Sequence, residues 1–335
     1  SWMNQFIDTI EYWGNKLPHP FILFGMLVVI TLIGSWILSQ AGCSITYMAA
    51  SRTPGEPEKE VTIAVTNLLS GDNLRYLITK YPDIFIGYPP MKLVLVMMAA
   101  TAFIEKTGFF GTFMKKYLLR APRSLVTFAV VFVGVNSNLM SDAGTLFALT
   151  MGGIIFAALG RNPLIGVILG WASSSGGFTA NLFLAGTDAL LAGITEGVVK
   201  EMGVAVDINP AMNYFFMASA TFFLSVTLTL FTEKVVCRMV GDGDGKVNMA
   251  MLEEHKLTAE QEKGLRWAFY GFLFFLAVMA ALTVPSWAIL RNAKGGFLPK
   301  SPFFAGIITL IAFFFVSTGL PYGVATGEIK KWKDI

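Results

Sequence analysis

The stretch that most constrains this chain is NSNLMSDAG (136–144), answered further on by ASSSGGFTAN (172–181). Both are small, polar and poor in helix formers, yet each interrupts a hydrophobic run that reads as membrane-embedded. Hydrocarbon offers no hydrogen-bond partners. Backbone can leave the helix at that depth only where protein buries it or where it lines a wet cavity. Two such interruptions in one chain predict a solute site near the bilayer midplane, the layout of secondary transporters.

Composition agrees: 54% of residues are hydrophobic, 14% are charged and 29 are Phe, well outside the range of soluble domains. The net charge of +3 says little about partners, because in a membrane chain the distribution of Lys and Arg among loops carries the information. No nucleic-acid partner is expected. Cys43, Cys237, His19 and His255 are too few and too scattered for a metal cluster or a Cys/His nucleophile. A disulfide is not expected either, since Cys43 and Cys237 fall on opposite predicted sides. The first apolar run begins at Pro20 and is too long for a cleavable signal. Ser1-Trp2 without an initiator Met points to a trimmed or fragmentary start.

In chain order, residues 1–19 place Phe6, Ile10, Trp13 and Leu17 at helical spacing, as in an interfacial helix. Residues 20–41 are uncharged and long enough to cross about 30 Å of hydrocarbon. Residues 42–88 read as a solvated outer loop with a surface helix. Pro89-Pro90 opens a second span, and 106–123 reads as a basic loop with Lys106, Lys115, Lys116, Arg120 and Arg123, which argues for the cytoplasm. Residues 20–123 thus make a scaffold. The apolar segments 125–135 and 145–159 flank the first interruption, and about 11 residues of helix rise only about 17 Å. A re-entrant hairpin over 124–160 therefore fits better than two full crossings joined on the far side.

Residues 163–194 read as one crossing broken at Ser173–Gly177, since Gly costs about 1 kcal/mol relative to Ala inside a helix. Gly166 and Gly170 form a GxxxG packing pair. An outer connection and a helix at 211–235 complete a transport core over 124–235. In the cytoplasmic loop 236–265, GDGDGKVN looks like a calcium loop, but Val240 and Met251 fall where acids are required. A flexible turn is expected there. Residues 266–335 hold spans at 267–289 and 303–324, closing on Lys330, Lys331 and Lys333. The expected fold is an all-α polytopic membrane protein, N-terminus inside, with six crossings and one hairpin between the second and third.

At the hairpin tip Ser137, Asn138 and Ser141 offer hard oxygen ligands and Asp142 a carboxylate. Such groups suit a dehydrating Na+, for which Asn138, Ser137 and Ser174 are the candidate ligands, or a proton carried on Asp142. The competing reading of Asp142 is a cap on the following helix; Asp188 could likewise cap or snorkel. Ser174, Ser175, Gly176, Gly177, Thr179 and Asn181 supply the opposite wall, or, more plainly, interhelical hydrogen bonds. No resident cofactor is expected. A channel would keep both interruptions but conduct without saturation. An intramembrane enzyme lacks its motifs here: there is no HExxH, no G-x-S-x-G and no His at membrane depth.

Several long motifs resemble the p-aminobenzoyl-glutamate transporter (AbgT) family of the ion transporter superfamily. They are GNKLPHP (14–20), LLSGDNLRYLITK (68–80), GYPP (87–90), SDAG (141–144), SGGFTANLFLAGTDALLAGIT (175–195), NPAMNYFFM (209–217) and LPYGVATGEIK (320–330), in family order across nearly the whole chain. The resemblance implies an inverted-repeat secondary transporter, a homodimer in the bacterial inner membrane, with nine spans and two opposed hairpins. It implies p-aminobenzoyl-glutamate as substrate, or export of sulfonamide-type antimetabolites, coupled to H+ or Na+. Asp142 falls on the carboxylate implicated in transport. Ile335 comes before a second hairpin or a second broken helix, so the chain is expected to hold the first repeat and the start of the second.

Overall fold

A computed structural model describes residues 2–49, 59–204, 206–297, 301–331 and 333, with backbone alone at 2–4, 7, 8, 13, 49, 59, 141 and 142. It divides into two units, residues 1–88 with 202–204, and 89–201 with 205–335. In the first unit α1 spans Trp2–Gly14 and α2 Pro20–Gln40. Pro20 opens α2 where a helix tolerates a missing N–H. The outer loop holds the helix that was expected and, before it, a strand pair that was not. Strands β1 (Ser44–Ala49) and β2 (Lys59–Ala64) pair antiparallel with Ser44 opposite Ala64. Their β-branched residues carry the pairing, Thr46 bonding Thr62 at 2.8 Å. Helix α3 (Gly71–Gly87) follows, its first turn capped by Ser70, which accepts from the Asn73 N–H at 3.3 Å.

The second unit begins with α4 (Met91–Lys106) and α5 (Phe109–Arg120). The basic loop expected over 106–123 is therefore mostly helix. Phe110, Met114 and Leu118 recur every fourth residue and are buried, which gives α5 a core-facing stripe beneath its lysines. The hairpin consists of α6 (Val126–Asn136), a 3-10 turn (Ser137–Met140) and α7 (Ser141–Ala158). Helices α8 (Pro163–Gly176) and α9 (Gly186–Glu201) come next, over the residues where a broken crossing was expected. Then α10 (Tyr214–Phe231) runs through a π turn (Thr232–Val236) into α11 (Cys237–Val240). After α12 (Met249–Glu254), α13 (Ala259–Thr283) starts earlier than expected because Thr258 and Gln261 form a capping box. The short α14 (Pro302–Ala305) and the long α15 (Ile307–Thr326) end the unit.

Among the described residues, five helical segments are long and apolar enough to cross a membrane: Pro20–Gln40, Arg123–Met140, Tyr214–Val240, Ala259–Thr283 and Ile307–Thr326. Six crossings were expected from the sequence. At 16 residues α4 falls short, and the first hairpin limb reaches 18 once its 3-10 turns are included. Limb length is thus no argument for a re-entrant hairpin. The two ends of the hairpin meet where Arg161 Nη1 donates to Thr127 Oγ1 at 2.7 Å, and its tip meets the end of α8. Since α8 has 14 residues, the tip lies about 21 Å along the helix from that face, short of the roughly 30 Å of hydrocarbon.

Arg161 fastens this base. It donates to Glu233 at 2.8 Å, to Asp242 at 2.8 Å and to Cys237 Sγ at 3.2 Å, while Thr127 also donates to Glu233. Burial disfavours the charged guanidinium, but the hydrogen bonds to Asp242 and Glu233 outweigh it and hold Arg161 above its ordinary range. Ligand atoms of Glu233, Cys237 and Asp242 lie within 4.8 Å of one another, yet Arg161 already satisfies all three. GDGDGKVN is not the flexible turn expected: Asn162 N bonds Asp242 O, Gly245 N bonds Gly160 O and Asn248 N bonds Ala158 O, at 2.8–2.9 Å. These bonds dock it along the hairpin's end.

Small residues set the spacing of α7 against α8. A Cβ on Gly166 would overlap the Gly152 carbonyl, and one on Gly170 the Ala148 carbonyl, so the GxxxG pair is a packing face. Gly166→Leu is expected to cost at least the roughly 1–3 kcal/mol of an overpacked core, read as a lowered thermal midpoint in detergent. Gly34→Ala, inside α2 with nothing within 4 Å of the added carbon, should not lower the midpoint and is expected to raise it slightly, since Ala is favoured over Gly in a helix interior by about 1 kcal/mol.

Candidate substrate and ion site

The chain folds locally so that the 3-10 turn of the hairpin faces the carbonyl end of α8. Helix α8 begins with Asn162 as cap and Pro163 in its first turn, and it continues through Ser173, Ser174 and Ser175 to Gly176. The interruption is consequently displaced from Ser173–Gly177 to the irregular residues 177–185. Serine hydroxyls explain the difference. Ser173 Oγ donates back to Leu169 O at 2.7 Å and to Gly170 O at 3.1 Å, so the side chain is satisfied without breaking the helix.

Ser137, Asn138 and Ser174 come together as expected. Ser137 and Ser174 are fully buried, their hydroxyl oxygens 3.2 Å apart. Ser137 also donates to Gly134 O at 2.6 Å. Asn138 Nδ2 faces three carbonyls, Val135 O at 3.2 Å and Ser174 O and Gly177 O at 3.1 Å. An amide nitrogen has two hydrogens, so it serves these three in turn. It thereby bridges the hairpin tip to the carbonyls at the end of α8, of which Gly177 O also accepts from Ala180 N at 2.8 Å. Asn181 is fully buried, and in the orientation that satisfies its amide it donates to Ala180 O and Val135 O at 3.1 Å. Gly177 enters through its carbonyl. Ser175, Gly176 and Thr179 do not join this network; all three are exposed.

The side chains of Ser141 and Asp142 lie outside the described residues; their backbone forms the first turn of α7. Asp188 takes the plainer of its two roles. Its Oδ2 accepts from Ala185 N at 2.7 Å and caps α9. Two site residues were missed in the sequence. Thr145 Oγ1 lies 2.7 Å from Ser174 Oγ, and Asn136 Oδ1 accepts from Leu182 N at 2.9 Å. Asn136 opens the NSN run and was there to be read. Thr145 is marked by nothing except its place one turn beyond Ser141.

Residues 5–335 match the profile of the AbgT putative transporter family. The p-aminobenzoyl-glutamate transport protein of Escherichia coli K12 is 32% identical over 326 residues, covering 97% of this chain and 62% of that protein. Two solved structures are similar in fold. The YdaH transporter of Alcanivorax borkumensis, described as having an unusual topology, gives a TM-score of 0.78 at 27% identity over 95% of this chain and 64% of that one. MtrF of Neisseria gonorrhoeae, described as illuminating a class of antimetabolite efflux pumps, gives 0.80 at 33% identity over 98% and 65%. The chain spans less than two thirds of the length of each.

Asn138→Ala strips the side-chain donor from the Ser174 carbonyl and one of two donors from the Gly177 carbonyl, which should cost about 1–3 kcal/mol by thermal or denaturant unfolding in detergent. Thr179→Ala, at an exposed position, is expected to stay within about 0.5 kcal/mol.

Proposed function

Because the chain belongs to the AbgT transporter family, we propose that it forms part of a secondary active transporter for p-aminobenzoyl-glutamate or related aromatic carboxylates and amides. Sulfonamide-type antimetabolites fall within the same chemical class. The observation that carries this reading is the buried meeting of Ser137 and Asn138 with Ser174 and Gly177. A helix end and a hairpin tip there share a small set of polar groups among the apolar side chains of α6, α7 and α8. Such a junction gives a solute something to bind and gives the protein two parts that can separate around it.

Coupling to Na+ or H+ belongs to the same proposal. For Na+, the hydroxyls of Ser137 and Ser174 and the nearby carbonyls are hard oxygen donors. Asn138 presents its NH2 group to those carbonyls, so a cation entering there takes the place of that NH2, with Asn138 turning its oxygen inward. For H+, Asp142 is the candidate carrier, one helical residue beyond the tip. The bacterial inner membrane, a cytoplasmic N-terminus and a homodimer complete the proposal. The orientation rests on the basic residues of 106–123 and 233–266.

The test is flux of radiolabelled p-aminobenzoyl-glutamate into proteoliposomes holding the full-length protein, under an imposed Na+ or H+ gradient. Saturable, gradient-driven flux is expected, with Asp142→Asn reducing it at least tenfold, or about 1.4 kcal/mol. Flux that never saturates would make the protein a channel. Unchanged saturable flux in Asp142→Asn would remove that carboxylate from the mechanism.

A further inference from the structure

Away from the hairpin network, a crevice of about 440 Å³ opens between α5, α13 and α15. Aromatic rings dominate its walls, with Phe110, Phe113, Phe183, Phe272 and Phe314 among them. A second hollow of about 530 Å³ shares Phe183, Phe272 and Phe314 with the first and continues to Met279 and Thr283. Together the two hollows line α13 from Arg266 to Thr283, about 25 Å, with Phe183 and Phe272 packed on Phe314 where they meet. One leaflet of hydrocarbon is about 15 Å thick, so the pair of hollows runs the length that a lipid chain covers.

Its two cations are at one end. Lys116 lies near the C-terminus of α5, which leads directly into the base of the hairpin, and Arg266 lies near the N-terminus of α13. Tyr322 of α15 donates to Thr112 of α5 at 2.6 Å, and Gly264 of α13 packs on Tyr322 and Thr326, so the three helices meet at this end. Lys116 is half-buried and Arg266 exposed. Neither has an ion pair among the described residues. Lys116 and Arg266 thus place two unpaired positive charges at the mouth of an apolar hollow.

We propose that this crevice is a site for an anionic phospholipid, its phosphate held between Lys116 and Arg266 and one acyl chain lying along α13. Charge complementarity selects the occupant. A zwitterionic lipid would fill the apolar depth equally well, but its ammonium would meet the same two cations. Basic pockets between helices on the cytoplasmic side have the form that recognises anionic headgroups. The site is independent of the substrate reading, since it uses none of Ser137, Asn138, Asp142 or Ser174.

Native mass spectrometry of the full-length protein, given phosphatidylglycerol and phosphatidylcholine with identical acyl chains, tests this directly. Wild-type protein should retain the glycerol lipid preferentially. Lys116→Gln with Arg266→Gln should lower that preference about thirtyfold, the order expected for losing two cations near an anionic headgroup. Lys200→Gln, elsewhere on the surface, should leave it unchanged, and the thermal midpoint in lipid-free detergent should not move. Should the double variant fail to fold, Arg266→Gln alone gives the same reading at about fivefold. Equal retention of both lipids, a preference that survives the double variant, or an equal loss in Lys200→Gln would overturn the proposal. Displacement of the lipid by p-aminobenzoyl-glutamate would also overturn it, assigning the crevice to the small molecule.

Discussion

A helix that stops inside an apolar layer leaves its last carbonyls without partners, and everything else in the second unit is arranged around that problem. The carbonyl end of α8 is such a stop. Ser173 O is taken by the Gly177 N–H at 2.9 Å, and the Ser174 and Gly177 carbonyls by the Asn138 side chain at 3.1 Å. The hairpin is what brings Asn138 there. Its tip therefore adds to the hydrogen bonding of a different helix: Asn138 donates to the Ser174 carbonyl and joins Ala180 N, at 2.8 Å, on the Gly177 carbonyl. No buried side-chain polar atom among the described residues lacks a partner, as a wholly protein-satisfied junction requires.

The rest of the unit holds the two parts in register. Gly152, Gly166 and Gly170 let α7 and α8 approach until backbone meets backbone, which fixes the tip against α8 laterally. Arg161 fixes it lengthwise by tying the start of α6, the end of α7, the π turn after α10 and the docked segment at 241–248 into one cluster. The tip is held by a few neutral hydrogen bonds of about 1 kcal/mol each. The base, with its charge-assisted bonds and its docked strand of backbone, is the stiffer end. Such a gradient of stiffness suits the proposed solute site, whose two parts would separate at the tip while the base holds the hairpin to the protein.

Much of this could be read from residue order, for identifiable reasons. The NSN and SSSGG runs stand out because hydrocarbon penalises polar residues that have no purpose there, and the Gly166-Gly170 pair follows from the same economy of space. Position within each run was less legible. Serines can close on their own helix, so α8 continues three residues past Ser173 and the interruption falls later. Charge also misled. The lysines of 106–123 concealed the period of Phe110, Met114 and Leu118, and the charged centre of 42–88 concealed a short β pair. The docking of GDGDGKVN on Gly160 had no local signal at all, because it depends on a backbone partner some eighty residues away, a separation that periodicity cannot report.

The central claim is that the hairpin tip and the end of α8 touch inside the membrane. Paired cysteines test it most directly: Ser137→Cys with Ser174→Cys, in an otherwise cysteine-free full-length protein kept in native membranes. With the two hydroxyls 3.2 Å apart, this pair should cross-link on mild oxidation, whereas Ser137→Cys with Thr179→Cys should not. Absence of the first cross-link, together with ready labelling of position 137 by a membrane-impermeant thiol reagent from the outer surface, would contradict the account and make the tip an ordinary external turn.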